Sequence, residues 1–315
     1  MRGVEIVIVA AGLSPAWQQI LVFDAVAVGE VNRAREVHWC ASGKVLNVAR
    51  ALNSLGADVD TVCPIGGPAG DAIRVEFSRD EIPAQWITTA STTRICTTVI
   101  EQTSGRVTEF VENARAITAD ELSRFESCYA EAASQAETVI LTGSLPEVEG
   151  QGKSVELYRR LLDSSPQSIL DVRGPELVAA LDRRPLLVKP NREELASTCG
   201  RTLSDEPAVL RAMNQLNESG AEWVLVTSGR GDVLLTSLAA SWRLVPFEVE
   251  VVNPIGCGDC LAAGIAVALS EGADMVDAVR FGMAAAAQNA TDLLPARLDQ
   301  LSVSEEAGLV RVKSL

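Results

Sequence analysis

The chain has 315 residues, of which 47% are hydrophobic and 22% charged, so it has a globular composition and enough length for one large α/β domain or two smaller ones. Its formal net charge of -15 argues against a nucleic-acid-binding surface, although a few local cations could still bind an anionic substrate. The seven cysteines show no regular spacing, and no apolar run approaches the roughly 18–20 residues that span a bilayer. We therefore expect a cytoplasmic protein in a reducing compartment, not bound to a membrane.

The N-terminal stretch can be interpreted in two ways. Arg2 stands before an apolar run, as in a signal peptide, but Glu5 interrupts that run and the run is short. The sequence EIVIVAA, residues 5–11, therefore favours a buried first strand over a cleaved signal.

Strand-like apolar runs alternate with helical patterns through the rest of the chain. Residues 43–56 predict a helix that Gly56 would cap, with an apolar stripe formed by Val45, Val48, Ala49, Leu52 and Leu55. Further strand-like runs occupy residues 58–66, 138–143, 167–172, 185–191 and 222–229. The C-terminal third is alanine-rich and predicted to be helical. This alternation predicts an α/β fold in which a mainly parallel central sheet is flanked by helices on both faces.

Two segments depart from this alternation. Residues 17–40 alternate in polarity without a good helical pattern, and residues 92–111 resemble a hairpin that turns at Ser104 and Gly105. We predict that residues of about 14–40 and 88–113 form a small β lid on a single domain of residues 1–315. An exposed lid of this kind could pair with a second copy of the chain.

The sequence NPIGCGDC, residues 253–260, allows two interpretations. Cys257 and Cys260 form a C-x-x-C pair, which is found in redox and metal sites, but the chain has a single histidine and no second such pair. Alternatively, Gly256 and Gly258 form a tight turn before a helix, whose N–H groups suit an anion, and Asp259 adds a carboxylate. In isolation the second pattern is also compatible with an ordinary helix N-terminus.

Motifs along nearly the whole chain resemble those of one family of sugar kinases. In chain order they are GEVNRA (29–34), SGKVLNVARAL (42–52), TRICTTVIE (93–101), LTGSLP (141–146), DVRGPELVAAL (171–181), VKPNREEL (188–195), VTSGRGDVLL (226–235) and NPIGCGDCLAAG (253–264). This order resembles the phosphofructokinase-B branch of the ribokinase-like sugar kinases, and within it the 1-phosphofructokinase and tagatose-6-phosphate kinase group. The resemblance implies a ribokinase-like fold, ATP as phosphoryl donor, Mg²⁺ as cofactor, and a small sugar or sugar phosphate as acceptor.

The resemblance assigns the reaction centre to the glycine turn. Asp259 would accept the proton of the acceptor hydroxyl, while the N–H groups of Gly256, Cys257 and Gly258 stabilise the transferring phosphoryl group. The alternative role for Asp259 is a carboxylate that merely favours the helix dipole.

The resemblance also implies residues for the nucleotide and the metal. Asn191 and Glu194 match an N-x-x-E element that would organise Mg²⁺ through water, although the same pair predicts a helix capping box. Nucleotide-binding residues would be Lys189, Ser228, Gly229, Gly231 and Asn289, with an ordinary tight turn as the alternative for 228–231.

On the acceptor side, the resemblance implies that Lys44 and Arg94 contact a phosphate already present on the sugar. Gly43 and Asn47 would face the sugar, and Gln18 stands where the family has an aspartate. The alternatives are a solvated helix start for Lys44 and an exposed hairpin charge for Arg94.

Several acceptor-side positions depart from the family pattern, whereas the donor side is intact. Besides Gln18, they are Ser42 and Val45 in place of glycines and Ala114-Arg115 in place of Gly-Pro; in addition, Cys260 follows the aspartate where the family has Ser, Thr or Ala. Three functions remain open: a kinase for a phosphorylated ketohexose, a kinase for an unphosphorylated sugar, polyol or nucleoside, and a non-catalytic sugar-phosphate sensor.

Overall fold

The computed structural model describes residues 7–165 and 167–315. In chain order the strands are β1 (Val7–Ala11), β2 (Ala16–Phe23), β3 (Glu36–Ser42), β4 (Asp58–Ile65), β5 (Gln85–Thr88), β6 (Arg94–Glu101), β7 (Arg106–Val111), β8 (Ala136–Thr142), β9 (Gln167–Asp171), β10 (Leu187–Val188), β11 (Trp223–Val226), β12 (Val233–Thr236), β13 (Ser241–Val245) and β14 (Arg311–Ser314). The helices are α1 (Lys44–Ser54), α2 (Gly67–Arg79), α3 (Ala119–Ala133), α4 (Leu157–Leu162), α5 (Pro175–Ala180), α6 (Arg192–Thr198), α7 (Glu206–Glu218), α8 (Cys257–Ser270), α9 (Met275–Thr291) and α10 (Gln300–Ala307).

The main sheet has ten strands in the order β14-β13-β12-β11-β10-β9-β8-β1-β4-β5. Strands β4, β5 and β8 to β11 run parallel to β1, so the expected mainly parallel sheet is confirmed. The chain moves from β1 to β4 on one side and returns to β8 on the other side. A crevice therefore opens beyond the carboxyl ends of β1 and β8, where α/β proteins commonly bind ligands.

Helices cover both faces of this sheet, as predicted. Ile8 and Ala10 of β1 belong to a core that includes α1, α2, α8, α9 and α10. Val9 and Ala11, which point to the opposite face, belong to a second core with α3 to α7. Because burial removes both faces of β1 from water, this strand has an uninterrupted apolar sequence. The predicted strand began at residue 5, and residues 5 and 6 lie outside the described part of the chain.

Helix α1 positions two site residues and is fixed in place by polar contacts. Its predicted apolar stripe is buried, and Gly56 follows the helix with a φ of +77°, as expected of a helix terminator. At its centre, Arg50 donates to the carbonyl of Ala41 at 2.8 Å and pairs with Glu76 of α2 at 2.6 Å. Glu76 in turn accepts the N–H of Ala41 at 2.8 Å. These contacts clamp the end of β3 between α1 and α2.

A second sheet, called the lid sheet below, has the order β3-β2-β6-β7 and contains the hairpin predicted around residues 104 and 105. Its strands lie within or beside the segments for which a lid was predicted, and the assignment of the whole chain to one domain stays a prediction. One face carries Ile20 and Ile100, which pack against Leu293 and Leu294 of the main body. The other face is directed away from that contact.

The sequence did not predict two antiparallel strands in the helical C-terminal third, β13 and β14. They pair with each other and extend the main sheet at its edge. Both are short, and β14 is exposed throughout, so neither has the continuous apolar pattern that identifies a buried strand. None of the helices in the described ranges is long and apolar enough to cross a membrane.

Candidate active site

Several of the predicted site residues, together with Asp171, gather at the carboxyl edge of the parallel strands. Asp171 ends β9, Lys189 follows β10, and the turn before α8 lies over the same edge. The segment from Gly43 into α1 approaches from the lid side, and a hydrogen bond from Asn47 to Asp259 joins it to α8. The site therefore lies at the crevice that the strand order predicts.

The glycine turn places an anion-binding surface at the start of α8. Gly256 precedes the helix with a φ of +86°, a conformation that glycine adopts without strain. Among the described residues the N–H groups of Gly256 and Gly258 have no acceptor, whereas that of Cys257 donates to the Pro254 carbonyl at 3.3 Å. Two of the three predicted donors are thus available to a ligand, and they add to the positive end of the helix dipole.

Asp259 lies in the first turn of α8 with only 6% of its surface exposed. The Asn47 amide donates to its carboxylate at 2.8 Å. Burial and the nearby charge of Asp171 raise the pKa of Asp259 to about 7, against the opposing influence of Lys44, Asn47 and Lys189. A carboxylate with a pKa near neutrality can accept a proton from a substrate and release it again at physiological pH.

Asp171 was missed by the sequence reasoning, although its motif was recognised. Its Oδ1 lies 3.1 Å from Nζ of Lys44 and 3.3 Å from Nζ of Lys189. Burial alone would raise the pKa of Asp171, but the two ammonium groups hold it below its usual value. An acidic residue at the carboxyl end of a buried parallel strand was the available signal.

Asp171 therefore holds the ammonium groups of Lys44 and Lys189 close together in the site, and the contact of Lys44 with an acceptor phosphate stays a prediction. Burial would lower the pKa of Lys44, but Asp171 and Glu194 together raise it, so the side chain is protonated. A Cβ added to Gly258 would lie 3.4 Å from Nζ of Lys189, which places this ammonium group beside the glycine turn. Lys189 therefore lies beside the turn, and Asp171 links it to Lys44.

Asn191 and Glu194, the N-x-x-E element, form the helix capping box that was one of the two interpretations of this sequence. Asn191 Oδ1 accepts the N–H of Glu194 at 2.8 Å, and Glu194 Oε2 accepts the N–H of Asn191 at 3.0 Å. The other oxygen of Glu194 lies 3.7 Å from Lys44 Nζ. Within the described residues no three acidic, histidine or cysteine side chains gather as a metal cage. These donors fit a Mg²⁺ ion that keeps most of its water and phosphate ligands.

The predicted nucleotide residues fall into two groups. Ser228, Gly229 and Gly231 form an exposed tight turn after β11, close to Asn191 through a bridge between Asn191 and Thr227. Asn289 is buried beneath the α8 turn, where its amide donates to the Ile255 carbonyl at 2.9 Å and accepts the Ala296 N–H at 2.7 Å. These bonds support a positioning role for Asn289, and its contact with a nucleotide stays a prediction.

Gly43, which was predicted to face the sugar, has a φ of +84°, and a Cβ there would lie 2.9 Å from the Ser14 carbonyl. Ser42 donates to the Asn47 amide oxygen at 3.2 Å, so the hydroxyl that replaces a family glycine supports Asn47. Val45, the other replacement, is buried in the core.

Gln18 and Arg94 are both engaged within the protein. The Gln18 amide donates to the Thr98 hydroxyl at 2.7 Å across the lid sheet. The Arg94 guanidinium donates to the carbonyls of Ser14, Pro15 and Glu112 at 3.0, 3.3 and 2.9 Å. No described contact joins either side chain to Asp259.

The two cysteines of the motif interact with one amide group. The Asn289 amide donates to the Cys257 sulfur at 3.3 Å and accepts from Cys260 at 3.4 Å. Burial raises the pKa of both thiols, which disfavours the thiolate that redox exchange or metal binding requires. The cysteines thus support the packing of the turn, and the phosphate interpretation of the motif is favoured.

Comparison with known proteins identifies relatives over most of the chain. Residues 17–297 match the family described as pfkB family carbohydrate kinase. A 1-phosphofructokinase of Haloferax volcanii is 31% identical over 277 residues, which cover 87% of this chain and 88% of that protein. Escherichia coli phosphofructokinase-2 in complex with substrates and products superposes with a TM-score of 0.86 at 26% identity, covering 97% of this chain and 99% of that one. An Arabidopsis thaliana ribokinase complexed with ribose and ATP has a similar fold, with a TM-score of 0.75 at 20% identity over 96% and 98% of the two chains.

Proposed function

The chain belongs to the pfkB family of carbohydrate kinases, and from that premise we propose that it transfers the γ-phosphoryl group of ATP to a hydroxyl of a phosphorylated ketohexose. Fructose 1-phosphate, fructose 6-phosphate and tagatose 6-phosphate are the acceptors to test first. The observation that carries the proposal is Asp259, a buried carboxylate with a pKa of about 7 beside two N–H groups of a helix N-terminus that have no acceptor in the described part of the chain.

In the proposed reaction, Asp259 accepts the proton of the acceptor hydroxyl while the oxygen of that hydroxyl forms a bond to the γ-phosphorus of ATP. The bond from that phosphorus to the β–γ bridging oxygen of ATP breaks, and ADP leaves with the electron pair. The N–H groups of Gly256 and Gly258, with the ammonium group of Lys189, stabilise charge on the transferring phosphoryl oxygens. Asn191 and Glu194 would hold Mg²⁺ through water, and the bound ion would neutralise charge on the nucleotide phosphates.

A second acceptor class is favoured by one observation. The guanidinium of Arg94, predicted to grip the acceptor's phosphate, already donates to three backbone carbonyls. That arrangement would suit an unphosphorylated sugar or polyol, which requires no phosphate contact. An acceptor screen that measures ADP release separates the two, because turnover on neutral sugars alone would refute the phosphorylated class.

The test of the catalytic assignment is Asp259→Asn with Asp277→Asn as its matched control. Both aspartates occupy the third position of a helix, in α8 and α9, but Asp277 is exposed and bonded to Arg280. Loss of a general base should lower kcat by about 10²- to 10⁴-fold. We expect Asp277→Asn to retain full kcat.

If the two variants lose similar small amounts of activity, Asp259 acts only on the helix dipole and the assignment is wrong. Melting curves at pH 8 provide the folding check. Because burial raises the pKa of Asp259, the stability that its carboxyl contributes is lost as pH rises from about 4 to 7, so Asp259→Asn should melt no lower than the wild type.

We also propose that the chain pairs with a second copy through the outer face of the lid sheet. Four apolar side chains are exposed on that face, namely Val37, Trp39, Ile95 and Phe110. Exposed apolar patches of this kind mark interaction surfaces. Sedimentation velocity should show a dimer that Phe110→Glu shifts toward monomer, and a wild type that stays monomeric at high concentration would refute the pairing.

A further inference from the structure

A groove at the base of the lid lies next to the acceptor side of the site. Hydroxyl and guanidinium groups line much of it, from Ser14, Ser91, Thr92, Thr93, Arg94 and Arg115. Gly43 packs so closely against Ser14 and Pro15 that a Cβ there would lie 2.9 to 3.1 Å from their atoms. The groove and the segment that carries Asn47 toward Asp259 are therefore in direct contact.

Arg94 forms a wall of this groove and uses three of its five N–H donors within the protein. Its Nε, Nη1 and Nη2 each donate to a backbone carbonyl, and those carbonyls come from two separate segments, 14–15 and 112. A guanidinium has five N–H donors in a fixed fork, so three carbonyl bonds fix its plane and its position. Arg94 thus holds the strand ends together and shapes the groove.

Arg115, unlike Arg94, has an exposed guanidinium that is only weakly paired within the protein. Its side chain is 57% exposed, and its ion pair with Glu112 is long, at 3.7 Å. An ion pair between exposed groups at this distance contributes little free energy. Glu112 also has another partner, because its Oε2 accepts the N–H of Ile95 at 3.1 Å. The guanidinium of Arg115 can therefore turn to a ligand without leaving a buried charge unpaired.

We propose that the phosphate already present on the acceptor binds in this groove, and that Arg115 is the residue that selects for it. This inference rests on the proposed function, a kinase for a phosphorylated acceptor. A phosphate dianion matches a free guanidinium in charge and fork geometry, and the hydroxyls of Ser14, Thr92 and Thr93, which donate to no acceptor among the described residues, supply neutral donors. Arg115 stands where the sequence departs from its family's Gly-Pro, so this contact belongs to this chain.

The test compares Arg115→Gln with Arg106→Gln. Arg106 begins β7, the strand that precedes Arg115, is 68% exposed, and has a similar long ion pair of 3.6 Å with Glu101, but it does not line the groove. Arg115→Gln should raise KM for fructose 1-phosphate, or whichever of the three ketohexose phosphates turns over, by about 10- to 100-fold. The KM for ATP, the turnover of unphosphorylated fructose and the melting temperature should stay unchanged, and Arg106→Gln should change none of these.

A KM for the phosphorylated acceptor that stays within twofold of wild type in Arg115→Gln overturns the inference while the proposed function stands. If the wild type turns over none of the ketohexose phosphates, the proposed function is wrong. Calorimetric titration with inorganic phosphate then tests separately whether the groove binds an anion. Binding to the wild type that Arg115→Gln abolishes supports the groove as an anion site. Equal binding to both, or binding to neither, overturns it.

Discussion

Replacing Asp171 with asparagine removes the negative charge that Lys44 and Lys189 share. The two ammonium groups lie 3.1 and 3.3 Å from the same oxygen, and Asp171 is 1% exposed. The substitution keeps the shape of the side chain, so its effects come from the charge. We expect two effects with different readouts, one on stability and one on the pH profile of the reaction.

The size of the stability loss follows from the burial of the two lysines. Lys189 has a side chain only 5% exposed, and breaking a buried ion pair by removing one partner costs about 3–5 kcal/mol. The side chain of Lys44 is 38% exposed, so water can replace Asp171 as its partner. Loss of the Lys44 ion pair therefore adds less than about 1 kcal/mol to the stability loss. For a chain of this size the total corresponds to a melting temperature lower by roughly 5–9 °C.

The pH profile should move in a direction that a purely structural defect does not predict. Next to burial, the charge of Asp171 is the largest influence raising the pKa of Asp259. Its removal lowers that pKa, so the acid limb of kcat/KM should move to lower pH in Asp171→Asn. The assay is ADP release at subsaturating acceptor between about pH 5.5 and 8.5.

Asp182→Asn is the matched control. Asp182 also lies between two cations, Arg159 at 2.9 Å and Arg183 at 3.3 Å, but it is exposed. Its loss should cost less than about 1 kcal/mol and leave the pH profile in place. If the two variants melt at the same temperature, or if the acid limb of Asp171→Asn moves upward, the electrostatic account of Asp171 is wrong.

Two further predictions concern Asp259. In the wild type, kcat/KM should fall about tenfold for each pH unit below about 7, because the proton that binds there removes the base; a flat profile from pH 6 to 8 would contradict this. Asn47→Ala removes a hydrogen bond to the charged carboxylate of Asp259, worth about 1.5–3 kcal/mol. The pKa of Asp259 should therefore rise, and the acid limb of kcat/KM should move to higher pH by about one unit or more. The control Asn53→Ala, on the same helix, should leave the acid limb in place. A limb that stays in place in Asn47→Ala would show that the amide does not stabilise the charged form.

Much of the fold was predictable because its signals are local. The burial of both faces of β1 requires an apolar run, and the stripe of α1 requires apolar residues at helical spacing. The turn before α8 was equally visible, since glycines beside a carboxylate at a helix start are a local pattern. The strands β13 and β14 were missed because they are short and lie at or next to the sheet edge, where partly exposed strands need no such run.

The partners of the charged side chains could not be predicted, because they depend on distant segments. Arg94 was expected to contact a phosphate, but its carbonyl partners at residues 14, 15 and 112 come together only in the folded sheet. Asp171 meets Lys44 across 127 residues of sequence, and no local pattern records that meeting. The roles of both residues in the reaction stay predictions that the variants above can test.

The hydrogen bond between Asn47 and Asp259 spans 212 residues, and this separation has a consequence for biosynthesis. Ribosomes add about 5–20 residues per second, so the amide of Asn47 waits roughly 10–40 s before the residue that completes the pair exists. Native contacts of such long range also form slowly, since a long loop must close before they contribute. Chains released before residue 259 is added therefore lack the proposed base, Asp259, even if their first strands and helices have formed. Activity should appear during synthesis only once α8 has packed against α1.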